Sequence, residues 1–343
     1  MRYMLFGLEL KKLVLSPAMV GMVALCIVFN TVIAIASYND YNANHKAESV
    51  NIFEGFKTSE IGEAYIRKYN ITAENAENIR DKYEKLQPVI DEKAANGDAL
   101  STYFGGQTHY RHALLFKIMF MAIIAESSLL ALFAALISVT YENLRGTEHI
   151  ICTSKIGRRI LRTKLSASLI AAVAMTVVII GVSLCILFLR FNFSDVWNDN
   201  VSSMFNYAVN EYGKPFITWH SFTVEGYLWA TIGVAFGIAV CFCLLGFAAG
   251  VFVRNGYGAF IAAALVIGIT FLAKSLFPIG SVFRAMWGLT PVWLWKNSGE
   301  WFTDGGADII WANFESVGLF FSLVILSIAA FIANKIFKKR DLL

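Results

Sequence analysis

Charged residues are scarce in this sequence. They make up 16% of its 343 residues, whereas hydrophobic residues make up 57%. A soluble domain has about one quarter charged residues, so this composition indicates a membrane protein rather than a soluble one. The net charge of +4 is modest. A net charge this small does not indicate a nucleic-acid-binding surface.

The sequence also lacks the motifs of a disulfide-bonded or catalytic protein. None of its five cysteines falls in a segment predicted to lie outside, which excludes an extracellular disulfide framework: Cys26, Cys152, Cys185, Cys241 and Cys243. Neither Gly-x-Ser-x-Gly nor His-Glu-x-x-His occurs, and no phosphate-binding Gly-Lys-Ser or Gly-Lys-Thr loop is present. His109 and His112 have no carboxylate or thiol cluster beside them. We therefore expect no enzyme, no metal site and no cofactor on this chain.

What the chain does contain is six apolar runs, which predict an all-α polytopic membrane protein with six transmembrane helices. Ser16 followed by Pro17 is typical of a helix start. In the polar region after span one, helices are predicted over 59–69 and from Thr72 to a stop at Gly97. The predicted elements in chain order are an interfacial amphipathic helix (1–15), span one (16–37), a small extracellular helical domain (38–113), span two (114–140), a cytoplasmic loop (141–164), span three (165–189), an outer loop (190–223), span four (224–251), an inner turn (252–257), span five (258–276), a re-entrant or outer aromatic segment (277–313), span six (314–334) and a cytoplasmic tail (335–343).

The loop 141–164, called the basic loop below, determines the predicted orientation. Its basic residues greatly outnumber Glu142 and Glu148: they are Arg145, Lys155, Arg158, Arg159, Arg162 and Lys164. Lys and Arg near span ends favour the cytoplasmic side. This predicts a plasma-membrane protein with both termini in the cytoplasm. The simplest alternative is that these side chains only set topology and contact lipid headgroups.

Glu126 is the one acidic residue deep inside a predicted span. A charge at that depth costs roughly 2.5–3.5 kcal/mol on insertion scales, so it needs a partner or a cavity. One interpretation is a hydrogen bond that fixes span two to a neighbour. The other is a polar point in a translocation path or dimer seam. Lys274, near a span end, is expected to extend its ammonium to the interface.

The segment 277–313 is too apolar for a free loop and too rich in Pro and Gly for a span. It predicts a re-entrant or interfacial pair of short helices, because irregular backbone at membrane depth must be buried in protein. Four of its tryptophans are predicted to form an outer aromatic rim: Trp287, Trp293, Trp295 and Trp301. Such a rim either anchors the protein at the interface or forms an exit surface for amphipathic substrates.

Two short patterns carry a family resemblance. The start Glu9-Leu10-Lys11-Lys12 and a later set resemble the signatures of permease subunits of ABC transporters, type-2 exporter class. The later set is Glu142, Gly146, Thr147, Arg158 and Lys164. The chain departs from the family at Lys155, where proline is common, and Lys164 stands about one residue early.

The resemblance implies an ATP-driven exporter that moves an amphipathic peptide or lipid-like substrate by alternating access. It implies a separate ATPase subunit, which holds ATP and Mg and docks on the basic loop, and a second permease copy or paralogue within membrane lipid. The implied docking residues are Glu142, Gly146, Thr147, Arg158, Arg159 and Lys164. Alternative functions are a membrane sensor or immunity protein with a ligand-binding outer domain, and an intramembrane enzyme.

Overall fold

The structure is a computed structural model that describes residues 2–37, 49–50, 53–97, 100–101, 111–147, 150–151, 157, 160–194, 196–202, 216–253 and 255–339. Within these ranges the chain is almost entirely helical. The helices are α1 (Arg2–Val14), α2 (Pro17–Ala36), α3 (Thr58–Lys68), α4 (Ala73–Ala95), α5 (Phe120–Leu144, preceded by a π-helical stretch Ala113–Met119), α6 (Ile160–Arg190), α7 (Val224–Val253), α8 (Gly256–Ala273), α9 (Val282–Gly288), α10 (Pro291–Lys296) and α11 (Phe314–Lys339). Two-residue strands β1 (Ser49–Val50) and β2 (Leu100–Ser101) pair antiparallel.

Six of these helical segments are long and apolar enough to cross a membrane, which confirms the predicted number of spans. They are α2, α5 with its π-helical extension, α6, α7, α8 with the 3₁₀ turn Lys274–Leu276, and α11. The second segment has 32 residues. At 1.5 Å per residue it is about 48 Å long, well beyond a hydrocarbon core of about 30 Å.

The start of α2 is set by local chemistry, as expected from the sequence. Ser16 occupies the N-cap in an extended conformation, and its Oγ accepts a hydrogen bond from the backbone N–H of Met19 at 3.2 Å. Pro17 takes the first helical position, where its missing N–H is not needed. The serine and proline together separate α1 from the first span.

The centre of the bundle is formed by α5 and α7. The apolar windows of both segments are 61% buried, against 22% for α2, 22% for α8 and 17% for α11. At Gly246 the two central helices come so close that an added Cβ would lie 2.6 Å from the Leu132 carbonyl oxygen. Only glycine permits this approach, so Gly246 fixes the separation of the central pair.

The helices α3 and α4 form a small polar domain, called the α3–α4 domain below. Its core residues come from both helices and from Phe53 just before α3, with two contributions from distant parts of the chain: Phe53, Tyr65, Ile79, Tyr83, Leu86, Ile90, Ile217 and Ala307. Its core is completed by segments that follow spans three and five.

Residues 277–313, called the aromatic segment below, are folded rather than a free loop. The segment contains α9, α10 and the 3₁₀ turn Gly306–Asp308. Ser281 caps α9 by accepting from the N–H of Arg284 at 3.2 Å, and Pro291 begins α10. An isolated β-bridge joins Thr218 to Thr303. Cap and bridge give this stretch its irregular but fixed path.

Candidate functional site

Four charged side chains meet where α1, the end of α5 and the start of α6 come together; we call them the charge cluster. The Lys12 Nζ lies 2.9 Å from Glu9 Oε2 and 3.1 Å from Glu142 Oε1. The Lys164 ammonium pairs with Glu142 Oε2 and lies 3.9 Å from Glu9 Oε2. Two carboxylates and two ammoniums therefore form one alternating network across three helices.

The charge cluster is withdrawn from solvent. Lys164 is 3% exposed, Glu9 7% and Glu142 8%. Lys164 also donates to the backbone carbonyl of Ser138 one turn before Glu142. Removing ions from water costs several kcal/mol each, and the bonds of Lys164 to Glu142 and to the Ser138 carbonyl offset part of that cost. Such a network holds α1 against the ends of both long helices in a single arrangement.

The C-terminus of α5 is closed by a Schellman motif. Gly146 has φ +66°, and its N–H donates to the Asn143 carbonyl at 3.1 Å. The Thr147 N–H donates to the Glu142 carbonyl at 2.9 Å. These two bonds satisfy carbonyls that a helix end leaves open. The Gly-Thr pair therefore orients the chain as it leaves the charge cluster.

The structure brings together only part of the predicted docking set. Gly146 is exposed and Thr147 half-buried at the end of α5, next to Glu142. Arg158 and Arg159 lie outside the described residues. Glu142 and Lys164 require a correction, because both were expected on a docking surface and both are buried in the charge cluster. Inside the charge cluster each of these two residues neutralises the other.

The basic loop is also shorter than the sequence indicated. The helix α5 continues to Leu144 and α6 begins at Ile160, so residues predicted to be loop are the last and first turns of long helices. A small cavity of about 30 Å³ lies where the end of α5 meets the start of α6. Its lining includes Glu142, Lys164 and Phe337 of α11. The ends of α5, α6 and α11 therefore meet in one place.

A second polar site lies in the middle of the spans. The Asn30 side-chain amide of α2 donates to Glu126 Oε2 of α5 at 2.7 Å and to Ser183 Oγ of α6 at 2.8 Å. Asn30 is 1% exposed. Glu126 thus has the inter-span hydrogen bond that the first interpretation of this residue requires. Asn30 was not among the residues predicted from the sequence, although one Asn within a long apolar span is a recognisable signal.

The predicted tryptophan rim does not hold for all four members. Trp301 is completely buried, and its indole N–H donates to the Leu294 carbonyl at 2.9 Å. The half-buried Trp295 donates to the Met121 carbonyl at 2.8 Å, and Trp293 donates to the Thr270 carbonyl at 3.3 Å. Trp287 is half-buried. The indole N–H groups of Trp293 and Trp295 therefore tie the aromatic segment to the spans. Trp301 requires a correction, because it is buried in the core and bonds within the aromatic segment.

Lys274 also differs from expectation. Its side chain is buried rather than extended to an interface, and its Nζ lies 2.8 Å from Asp308 Oδ2 and 4.0 Å from the Trp293 ring centroid. Arg284 Nε donates to the other Asp308 oxygen at 2.6 Å. Burial alone would raise the pKa of Asp308, but the two cations hold it below its usual value. Asp308 is therefore a charged anchor for the end of span five.

His112 lies in an aromatic environment. Its ring packs against Phe116, Phe216 and Tyr227, and its Nε2 lies 3.2 Å from the Gly299 carbonyl oxygen. His109 lies outside the described residues. Within the described ranges, no three His, Cys, Asp or Glu side chains come together as metal ligands would.

Comparison with known proteins gives this chain no relatives: no family model, no curated protein and no solved structure matches it.

Proposed function

We propose that this protein is the membrane-spanning subunit of an ATP-driven exporter of the ABC type, working with a separate ATPase. The charge cluster is the observation that carries the proposal. A loop can pass mechanical work to spans only if it leaves them through a rigid joint. Glu142 and Lys164 form that joint between α5 and α6, and Glu9 and Lys12 brace it with α1.

In this proposal the charge cluster and the basic loop lie on the cytoplasmic side of the plasma membrane. Six spans place both termini on that side, and α1 lies along the inner interface. The ATPase contacts the surface between Leu144 and Ile160, where Arg158 and Arg159 supply positive charge complementary to an acidic cleft. Binding of ATP with Mg²⁺ by two ATPases closes them, tilts the loops of two permease copies and drives alternating access.

An amphipathic substrate suits the membrane part of the molecule. A cavity of about 220 Å³ lies between α7, α8 and α11 beneath the start of α10. Its wall is mainly apolar, with Thr270, Thr290 and Ser322 as the hydroxyl-bearing members. Sites of this kind take the apolar part of a ligand and orient it with few polar groups. A lipid-like compound or a peptide with an apolar segment fits that chemistry.

The partner is tested by site-specific photo-crosslinking in native membranes. A photoreactive residue replaces Ile150, which is 70% exposed and lies in the chain between α5 and α6, and as a control it replaces the exposed Glu92 of α4. We expect an adduct from position 150 that is also labelled by a photoreactive ATP analogue. An adduct without nucleotide labelling, or the same adduct from position 92, would contradict the proposal.

The joint itself is tested with Lys164→Met and a matched control, Lys11→Met. Lys164 is buried in the charge cluster, whereas Lys11 is exposed on α1. Losing one partner of a buried pair costs about 3–5 kcal/mol, so Lys164→Met is expected to weaken ATPase association and abolish coupled hydrolysis while the spans still insert. Both variants are compared by co-purification at low and high salt. Equal ATPase co-purification and equal coupled hydrolysis in the two variants would show that the charge cluster has no part in coupling.

A further inference from the structure

Lys82 of α4 is a buried cation held by backbone oxygens. It is 2% exposed, and its ammonium donates to the carbonyls of Asp304 at 3.1 Å and Ile309 at 3.0 Å, and to that of Gly306. It also lies 4.4 Å from the Tyr83 ring centroid. Three carbonyls converging on one ammonium form a cage, and Lys82 fills it from a different part of the chain.

Neighbouring contacts strengthen this attachment. The Tyr83 hydroxyl donates to Asp304 Oδ2 at 2.6 Å. Burial, together with the Asp304 carboxylate, raises the pKa of Tyr83 well above its usual value, which keeps the hydroxyl protonated as a donor. The Asn78 amide donates to the Gly280 carbonyl at 3.1 Å. The α3–α4 domain is therefore attached to both ends of the aromatic segment.

The same stretch of the aromatic segment is attached to span six. The Phe302 N–H donates to Glu315 Oε2, in the first turn of α11, at 3.1 Å. Glu315 is fully buried, and Phe302 has φ +60°. A bulky residue in the left-handed region persists only where its surroundings enforce it. Residues 302–309 are thus held by the α3–α4 domain on one side and by α11 on the other.

We infer that the α3–α4 domain controls the start of span six through residues 302–309. The attachment is discrete rather than sliding. If Lys82 leaves, the carbonyls of Asp304, Gly306 and Ile309 lose the ammonium that bonds to all three. Displacement of the α3–α4 domain therefore moves residues 302–309, and with them Phe302 and Glu315. A ligand that binds more tightly to a displaced position of the α3–α4 domain than to this one would shift the equilibrium of span six.

Hydrogen exchange of the full chain in nanodiscs tests this link without any ATPase. Lys82→Met removes the ammonium and Tyr83→Phe removes only the hydroxyl. Arg80→Gln is the matched control, since Arg80 pairs with Glu63 on the exposed side of the same helix. The readout is the amides of Ser316 and Val317, which bond to the Asn313 carbonyl. We expect about tenfold faster exchange there in Lys82→Met, a smaller increase in Tyr83→Phe and none in Arg80→Gln.

Coupling free energies are reciprocal, which gives a second readout. Glu315→Met removes the acceptor of the Phe302 N–H and is expected to speed exchange in α4. Glu300→Gln is its control, because Glu300 is half-buried and pairs with Lys117, which lies outside α11 and α4. If Lys82→Met does not fold, Tyr83→Phe and Glu315→Met decide. Changes confined to the mutated element in both variants would overturn the inference.

Discussion

At the scale of single residues, Asn30 is the polar contact that joins three spans. Its amide bonds to Glu126 and Ser183, so one side chain relates α2, α5 and α6. Its neighbour Thr31 differs in kind, since its hydroxyl donates to the Ile27 carbonyl of its own helix at 2.7 Å. Of these two adjacent polar residues, Asn30 therefore bonds to neighbouring spans and Thr31 bonds within its own helix.

We predict that Asn30→Val destabilises the protein by about 1–2 kcal/mol, because inter-span hydrogen bonds average about 0.6 kcal/mol and Glu126 also loses its partner. The control Thr31→Val is expected to change stability by no more than about 0.5 kcal/mol. Unfolding in nanodiscs or mild detergent measures both variants.

Glu126→Gln separates the two roles considered for this position. The glutamine oxygen still accepts from Asn30, so folding is expected to be preserved. Under the proposed function, transport falls in this variant only if the carboxyl group lies in the translocation path or dimer seam. Equal stability of Asn30→Val and Thr31→Val would show that this contact does not hold the spans together.

Residue-scale chemistry was predictable where it is local and unpredictable where it is not. Ser16 and Pro17 act within one turn, and the sequence identified them correctly. Lys82 and Lys274 were not identified as buried, because their partners, Asp304 to Ile309 and Asp308, lie 34 to 227 residues further along the chain. No local pattern distinguishes a lysine that reaches such a partner from one that remains in solvent.

At the scale of elements, the end of α5 depends on one backbone conformation. A Cβ at Gly146 would meet nothing within 4 Å, so the requirement for glycine comes from its φ of +66° alone. The sequence indicated that Gly146 and Thr147 matter by resemblance. Their physical role is to end the helix directly after the charge cluster.

We predict that Gly146→Ala costs about 1–2 kcal/mol, because an L-residue is strained in the left-handed region. Gly146→Asn is the matched control, since asparagine tolerates that conformation. Hydrogen exchange at Asn143 to Thr147 should increase in the alanine variant and remain near wild type in the asparagine variant. Identical hydrogen-exchange rates in the alanine and asparagine variants would show that the left-handed conformation of residue 146 does not determine the stability of this helix end.

The ends of the elements were predicted less well than their number. Apolar runs located six spans, but α5 and α6 both extend into the predicted basic loop. Hydropathy falls at Tyr141 to Leu144 and at Ile160 to Lys164, because these turns carry polar and charged side chains. The helices persist there because the charge cluster satisfies those charges, which is information that no single segment contains.

At the scale of the whole molecule, orientation in the membrane is the property to establish. A cysteine that reports orientation must be accessible to the labelling reagent. Lys93 is charged but only 1% exposed, whereas Ser59 and Ile150 are exposed. In a cysteine-free background, Ser59→Cys is expected to react with an impermeant maleimide on intact cells. Ile150→Cys should react only after permeabilisation. The reverse pattern would invert the proposed topology.

The cage around Lys82 also has a consequence for synthesis. Its carbonyl partners lie 222 to 227 residues later in the chain, so they do not exist when α4 leaves the ribosome. At 5–20 residues per second the interval is roughly 10–45 s. Throughout it, the Lys82 ammonium has none of these acceptors, and the core that α4 forms with α3 lacks Ile217 and Ala307 until those residues are made. A nascent chain stalled before residue 304 would therefore present the unfinished side of this core to proteases, and arrival of the aromatic segment closes it.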